Sequence, residues 1–142
     1  MRDGAFAVAS VYHLPILSNS IDLVLNCFSP MCEQEFLRVL KPGGYLIYVV
    51  PAARHLWQLK QVLYTDPYLN EEKECAYEGF DLIKKLHTSE DRLFSDGSAI
   101  RSLFGMTPYA YRTPREGQAR MEALSELLCT CAFDVYVYQR KN

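Results

Sequence analysis

Three histidines, five cysteines and one aromatic–basic cluster carry most of the chemical potential of this 142-residue chain. Tyr109, Tyr111, Arg112 and Arg115 interleave π faces with guanidinium groups. Such residues can stack on unpaired bases and pair with phosphates. They suit an ordinary surface turn with packed tyrosines equally well, and the spacing fits both readings. His55 stands at the start of a helical stretch, where it can bond its neighbours or reach a ligand; His13 and His87 take no role. Cys27, Cys32, Cys75, Cys129 and Cys131 are odd in number and contain no CxxC pair, so their spacing suits neither a disulfide framework nor a zinc site. Cys129 and Cys131 sit two apart and would share one face of a strand. Buried or half-buried free thiols in a reducing compartment are what this pattern predicts.

These residues need a frame to position them. Ala5 to Ser10 is an apolar run of strand length, followed by a loop through His13-Leu14-Pro15 and a turn at Ser18-Asn19-Ser20. Ile21 to Asn26 is nearly all apolar after Asp22, as expected of a parallel strand covered on both faces. Phe36, Val39 and Leu40 give Cys32 to Leu40 the spacing of an amphipathic helix. Pro42, Gly43 and Gly44 are predicted to end it, with glycine as a left-handed C-cap. Tyr45 to Val50 then reads as a central strand.

Leu56, Leu59, Val62 and Leu63 mark a further helix to about Tyr64, and 66–78 is an acidic surface excursion. A strand is predicted near Leu86–Phe94, and a helix over Ser95 to Phe104 with Ser95 and Asp96 as candidate caps. Arg115 to Leu128 reads as a helix with Met121, Leu124 and Leu128 inward. In the last segment Phe133, Val135 and Val137 alternate with Asp134, Tyr136 and Tyr138, as on a strand with one wetter face. Strands separated by helices imply an open, mostly parallel α/β sheet with right-handed crossovers and an antiparallel last strand. Ligands of such sheets bind beyond the carboxyl ends of the strands.

Hydrophobic residues at 49% and charged residues at 23% are ordinary for a folded domain. A net charge of −2 lacks the basic excess of a chain that grips nucleic acid unaided. No apolar run approaches the roughly 20 residues that cross a bilayer, and the start of the sequence has no signal-peptide architecture. A cytoplasmic protein is the expectation.

Several short motifs occur in one register: Val8-Ala9-Ser10 with His13-Leu14-Pro15; Phe28-Ser29-Pro30; Leu40-Lys41-Pro42-Gly43-Gly44; Pro51-Ala52-Ala53-Arg54-His55-Leu56 with Leu59-Lys60; and Met106-Thr107-Pro108-Tyr109 with Tyr111-Arg112. Lys-Pro-Gly-Gly alone fits any tight turn between helix and strand. The whole set resembles the bacterial large-subunit rRNA (guanine-N1)-methyltransferases, with the Arg-His-Leu and Met-Thr-Pro elements the specific parts. That resemblance implies a Rossmann-like sheet, S-adenosylmethionine as methyl donor and large-subunit rRNA as substrate. It places Ala9 and Ser10 beside the cofactor adenine, Asn26, Cys27 and Phe28 at the methyl-donor cleft, and His55 in contact with the cofactor. It assigns no catalytic proton acceptor.

Members of that family begin with a four-cysteine zinc module. A glycine-rich loop and an acidic residue for the ribose hydroxyls follow it. Only Met1, Arg2, Asp3 and Gly4 precede the first strand-like segment here. The expectation is therefore that 1–142 is the C-terminal part of such an enzyme, inactive by itself. An apolar sheet edge would then be open to self-association or to a complementary N-terminal half. Two rival readings are a non-enzymatic interaction domain derived from this fold and a small-molecule methyltransferase. The latter should lack the joint Arg-His-Leu and Met-Thr-Pro elements.

Overall fold

A computed structural model describes residues 4–72 and 76–142; Cys75 lies outside the described residues. In chain order the elements are β1 (Ile21–Cys27), α1 (Glu33–Val39), β2 (Leu40–Pro51), α2 (Trp57–Leu63), β3 (Phe80–Phe94), α3 (Gly97–Gly105), a 3-10 turn (Pro108–Tyr111), α4 (Arg115–Glu122) and β4 (Leu127–Arg140). The sheet order is β1-β2-β4-β3, and β1 pairs with β2 in parallel. β4 runs against both neighbours. Its late residue Gln139 bonds Gly43 early in β2, whereas Ala132 near its start accepts from Ala52 just beyond β2. Similarly Lys141 bonds Gly79 before β3, and Thr130 bonds Asp91 near the end of β3. The fold is thus a mixed α/β sheet flanked by helices, in which β1–β2 is a parallel pair and the reversed last strand makes the pairs on both of its sides antiparallel, rather than the mostly parallel pairing expected.

The chain divides into two compact units. The first comprises Met1–Val50, Lys73–Leu86 and Asp134–Asn142, and the second comprises Pro51–Glu72 and His87–Phe133. The first packs Phe36, Leu40, Leu46, Tyr48, Phe80, Tyr136 and Tyr138 into its core. The second buries Leu56, Leu59, Leu63, Ile100, Phe104, Met121, Leu127 and Cys129. Among the described residues no helix is long and apolar enough to cross a membrane.

Several elements depart from the sequence reading, each for a local reason. Ala5 to Ser10 forms no strand: Phe6 and Val8 are fully exposed, and only Ser10 makes a bridge, to His13. A strand needs a neighbour for its backbone groups, and among the described residues Ala5 to Ala9 have no strand beside them. The helix before Lys-Pro-Gly-Gly ends at Val39, because Leu40 is already extended and Lys41 precedes a proline. The glycines are therefore not its C-cap. Lys41 to Gly44 instead bulge out of β2: Ile21 pairs with Leu40, but Leu23 pairs with Tyr45, so two steps along β1 match five along β2. Gly43 lies in that bulge at φ +74°, where a side chain would be strained.

β1 is not covered on both faces, since Leu23 and Leu25 are exposed. β3 starts at Phe80 rather than near Leu86, and α4 stops at Glu122, leaving Leu128 exposed in β4. The β4 alternation is real, but Asp134, Tyr136 and Tyr138 form the buried face. The Tyr138 ring packs edge-on against Tyr77 and Phe80, so tyrosine here is core material. Cys129 is buried and Cys131 half-buried, as their shared face predicts.

Candidate functional site

In the first unit, β1 and β2 finish side by side, with Cys27 opposite Val49. The chain leaves β1 through Phe28, whose amide donates to the Val49 carbonyl at 3.1 Å. Phe28 has φ +56°, an uncommon conformation for a bulky residue, and its ring is 58% exposed. Asn26 is buried, and its amide donates to the Pro30 carbonyl at 3.2 Å, closing the loop. Cys27 is exposed. An aromatic ring thus stands outward at a strand carboxyl end on a backbone fixed from both sides. Open α/β sheets receive ligands at such a place.

Ala9 and Ser10 are exposed, and Ser10 anchors a small turn: its hydroxyl accepts from the Tyr12 amide and its carbonyl from the His13 amide. The segment after them is held by a device that sequence reasoning missed. The Glu35 carboxylate accepts from the Leu14 amide at 2.6 Å and from Arg38 at 2.7 Å. Arg38 in turn donates to the carbonyls of Leu14 and Ile16 and to the Ser18 hydroxyl. The Arg38 hydrogen bond, then that of Leu14, holds the Glu35 carboxyl down at about 2. An acid and an arginine three apart on a helix were visible in the sequence, but their target loop was not.

In the second unit, the His55 Nδ1 accepts from the Ala132 amide at 3.2 Å, and its ring lies 4.7 Å from that of Phe133. Burial pushes its pKa below the ordinary 6.5, so the neutral imidazole prevails near neutrality. Lys60 is buried with its ammonium bonded to the Tyr68 carbonyl at 3.0 Å and the Asn70 side chain at 2.7 Å. The same ammonium lies over the rings of Tyr68 at 4.4 Å and Tyr109 at 5.6 Å. Burial lowers the Lys60 pKa and pushes the Tyr109 phenol up to about 12. Tyr109 also meets Tyr64 edge-on. It is a packed ring, whereas Tyr111, Arg112 and Arg115 stand open to solvent.

The predicted residues therefore fall into two groups. Ala9, Ser10, Asn26, Cys27 and Phe28 lie in the first unit; His55, Tyr109, Tyr111, Arg112 and Arg115 lie in the second. The cofactor candidates supply small residues, an amide, a thiol, an aromatic ring and an imidazole, but no carboxylate.

No protein-family model matches the chain. A Bacillus subtilis protein, YxjB, is 34% identical over 141 residues, covering 96% of this chain and 50% of its own length. Its name offers it as a 23S rRNA (guanine-N(1)-)-methyltransferase without claiming the activity as established. A similarly named protein of Micromonospora griseorubida is 32% identical over 88% of this chain and 44% of its own length. Among solved structures, a Bacillus halodurans protein described provisionally as a methyltransferase aligns over 94% of this chain and 70% of its own, with a TM-score of 0.48 at 12% identity. At that similarity nothing passes from one protein to the other. The chain spans about half the length of the curated relatives it matches. By sequence it belongs with the proteins named as 23S rRNA (guanine-N(1)-)-methyltransferases, as the counterpart of about half of one.

Proposed function

We propose that these residues are the C-terminal part of a methyltransferase that acts in the cytoplasm on guanine N1 of large-subunit rRNA, and that alone they transfer no methyl group. The observation that carries this reading is 34% identity across 96% of the chain to a relative of which it matches only half. S-adenosylmethionine would supply the electrophilic methyl group. The chain's own share is to hold one side of it: the Phe28 ring, fixed by the bond to Val49, offers an aromatic wall, and the Arg38–Glu35 pin orders the segment after Ala9 and Ser10. His55, neutral and tied to Ala132, would contact the cofactor. Guanine N1 bears a proton at neutral pH, so the reaction needs an acceptor. No carboxylate belongs to the candidate set, so that acceptor and the ribose acid are assigned to the unmatched half. The target base must be unpaired or flipped to be reached.

The test is titration of S-adenosylmethionine into the purified chain, with His55→Ala beside it, and methyl incorporation into an rRNA transcript. The expected Kd is weaker than about 100 μM, equivalent to roughly −5.5 kcal/mol, with no incorporation. Incorporation by the chain alone would overturn the reading of incompleteness. A second reading, a non-enzymatic interaction domain, draws on the exposed Leu23 and Leu25 of β1. Tight association with a partner but no methyl transfer in any reconstituted form would favour it.

A further inference from the structure

We propose that Asn70, gripped by the buried ammonium of Lys60, is a positioning residue that fixes the loop presenting His55. That role deepens the reading of His55 as a cofactor contact and rests on it. The loop, Ala52 to Leu56, lies in the second unit between the end of β2 and the start of α2. It closes on itself through the His55 amide, which donates to the Ala52 carbonyl at 3.0 Å. Leu56, the next residue, is buried and left-handed at φ 54°. A bulky side chain is strained there, and the conformation persists only where its surroundings over-determine it. One set of restraints comes from β4. The Ala52 amide donates to the Ala132 carbonyl at 3.0 Å, the Leu56 amide to the Thr130 carbonyl at 2.8 Å, and the Ala132 amide to His55 Nδ1 at 3.2 Å.

The second set comes from the acidic excursion, a stretch that the proposed reaction leaves without a task. The Asn70 backbone amide donates to the Ala53 carbonyl at 2.9 Å, and its side-chain amide donates to the Ala52 carbonyl at 2.9 Å. Its side-chain oxygen accepts from the Lys60 ammonium at 2.7 Å. An ammonium only donates and a carbonyl only accepts, so these partners fix which way the Asn70 amide faces. Lys60 also donates to the Tyr68 carbonyl at 3.0 Å, and so holds the excursion at two points. A charge on the inner face of a helix is costly unless it is hydrogen-bonded, and here its bonds go to the excursion. The Lys60 amide in turn donates to the Leu56 carbonyl at 3.0 Å. A closed circuit results, from Ala52 to Asn70, Asn70 to Lys60 and Lys60 to Leu56, and His55 lies on the stretch it encloses.

The test follows amide exchange residue by residue, by NMR, in the purified chain and in its Asn70→Asp and Lys60→Met variants. Asn70→Asp keeps an acceptor for Lys60 and the backbone bond to Ala53, and loses only the donor to Ala52. Lys60→Met keeps an apolar stem of similar volume and loses the ammonium. The expected result in both is that the His55, Leu56 and Ala132 amides exchange at least about tenfold faster, while those of Phe36 in α1 and Ile100 in α3 stay within about twofold. A merely structural role would speed all of them by one factor, through global unfolding. Asn70 is only half-buried, so Asn70→Asp keeps the fold and decides the matter should Lys60→Met unfold. Uniform acceleration, or loop amides as slow in a folded variant as in the unsubstituted chain, would overturn the proposal. The cofactor contact is read separately, from the His55 imidazole nitrogen resonances as S-adenosylmethionine is added to about 5 mM, far above a Kd of about 100 μM. The expected result is a shift in the unsubstituted chain. Its absence would count against His55 as a cofactor contact and leave the brace standing.

Discussion

Glu35 shows how one side chain can set both a loop and an acid limit. Its carboxylate is held at about 2 against an ordinary 4.5, chiefly by Arg38 and then by the Leu14 amide. Below 4.5 the unfolded chain takes up a proton that the folded chain resists. The stabilisation is complete above pH 4.5 and is lost as the pH falls towards 2. Glu35→Gln should lower Tm at pH 7 and flatten the dependence of Tm on pH in that window; thermal melts from pH 2 to 7 check it. His55 acts in a higher window with the same sign. Its charged form is disfavoured by burial, so stability declines as pH falls below 6.5, and His55→Ala should flatten that upper stretch alone. The Arg38–Glu35 spacing was legible in the sequence, but not the loop it grips, because Leu14 and Ile16 join through main-chain atoms that carry no sequence signal. Lys60 was still less legible. A lysine is ordinarily read as surface, and only the fold brings Tyr68, Asn70 and Tyr109 around it.

Among the elements, α2 and α4 approach closely at Gly117. A Cβ on Gly117 would lie 2.1 Å from the Leu63 carbonyl oxygen and 2.9 Å from the Thr113 methyl, so the helices approach only because that position is bare. The same end of α2 is secured by Arg120, which donates to the Val62 and Leu63 carbonyls. Gly117→Ala should cost roughly 1–3 kcal/mol by overpacking, read by urea unfolding through the fluorescence of Trp57, the only tryptophan. Periodicity and capping found most elements: Asp96 does cap α3, accepting from the Ala99 amide at 2.8 Å. Where sequence reasoning failed, tertiary context had decided. An αβ turn became a bulge because β1 pairs on both sides of it. The buried side of β4 was misjudged because tyrosine hydroxyls look wet while their rings fill a core.

For the molecule as a whole, net charge decides how much RNA affinity these residues can hold. Fifteen basic against seventeen acidic side chains provide no general attraction to phosphate, so binding depends on local patches. Of the four residues picked out for RNA, Tyr109 is committed to the Lys60 cluster, which leaves Tyr111, 90% exposed, with Arg112 and Arg115. Two arginines neutralise two phosphates at most. The logarithm of the binding constant for an unpaired rRNA segment should therefore fall against log salt with a slope no steeper than about −2. Arg112→Ala with Arg115→Ala should remove nearly all of that slope, while Tyr111→Ala should weaken binding at every salt concentration by about 1 kcal/mol or more without changing it. Fluorescence anisotropy of a labelled segment between 50 and 200 mM salt separates the two effects. A slope near −4, or one unmoved by the double variant, would mean that other cations carry the contact and that this cluster is only a surface turn. A slope near −2 that the double variant abolishes would leave Tyr111, Arg112 and Arg115 as this chain's own contribution to an RNA interface.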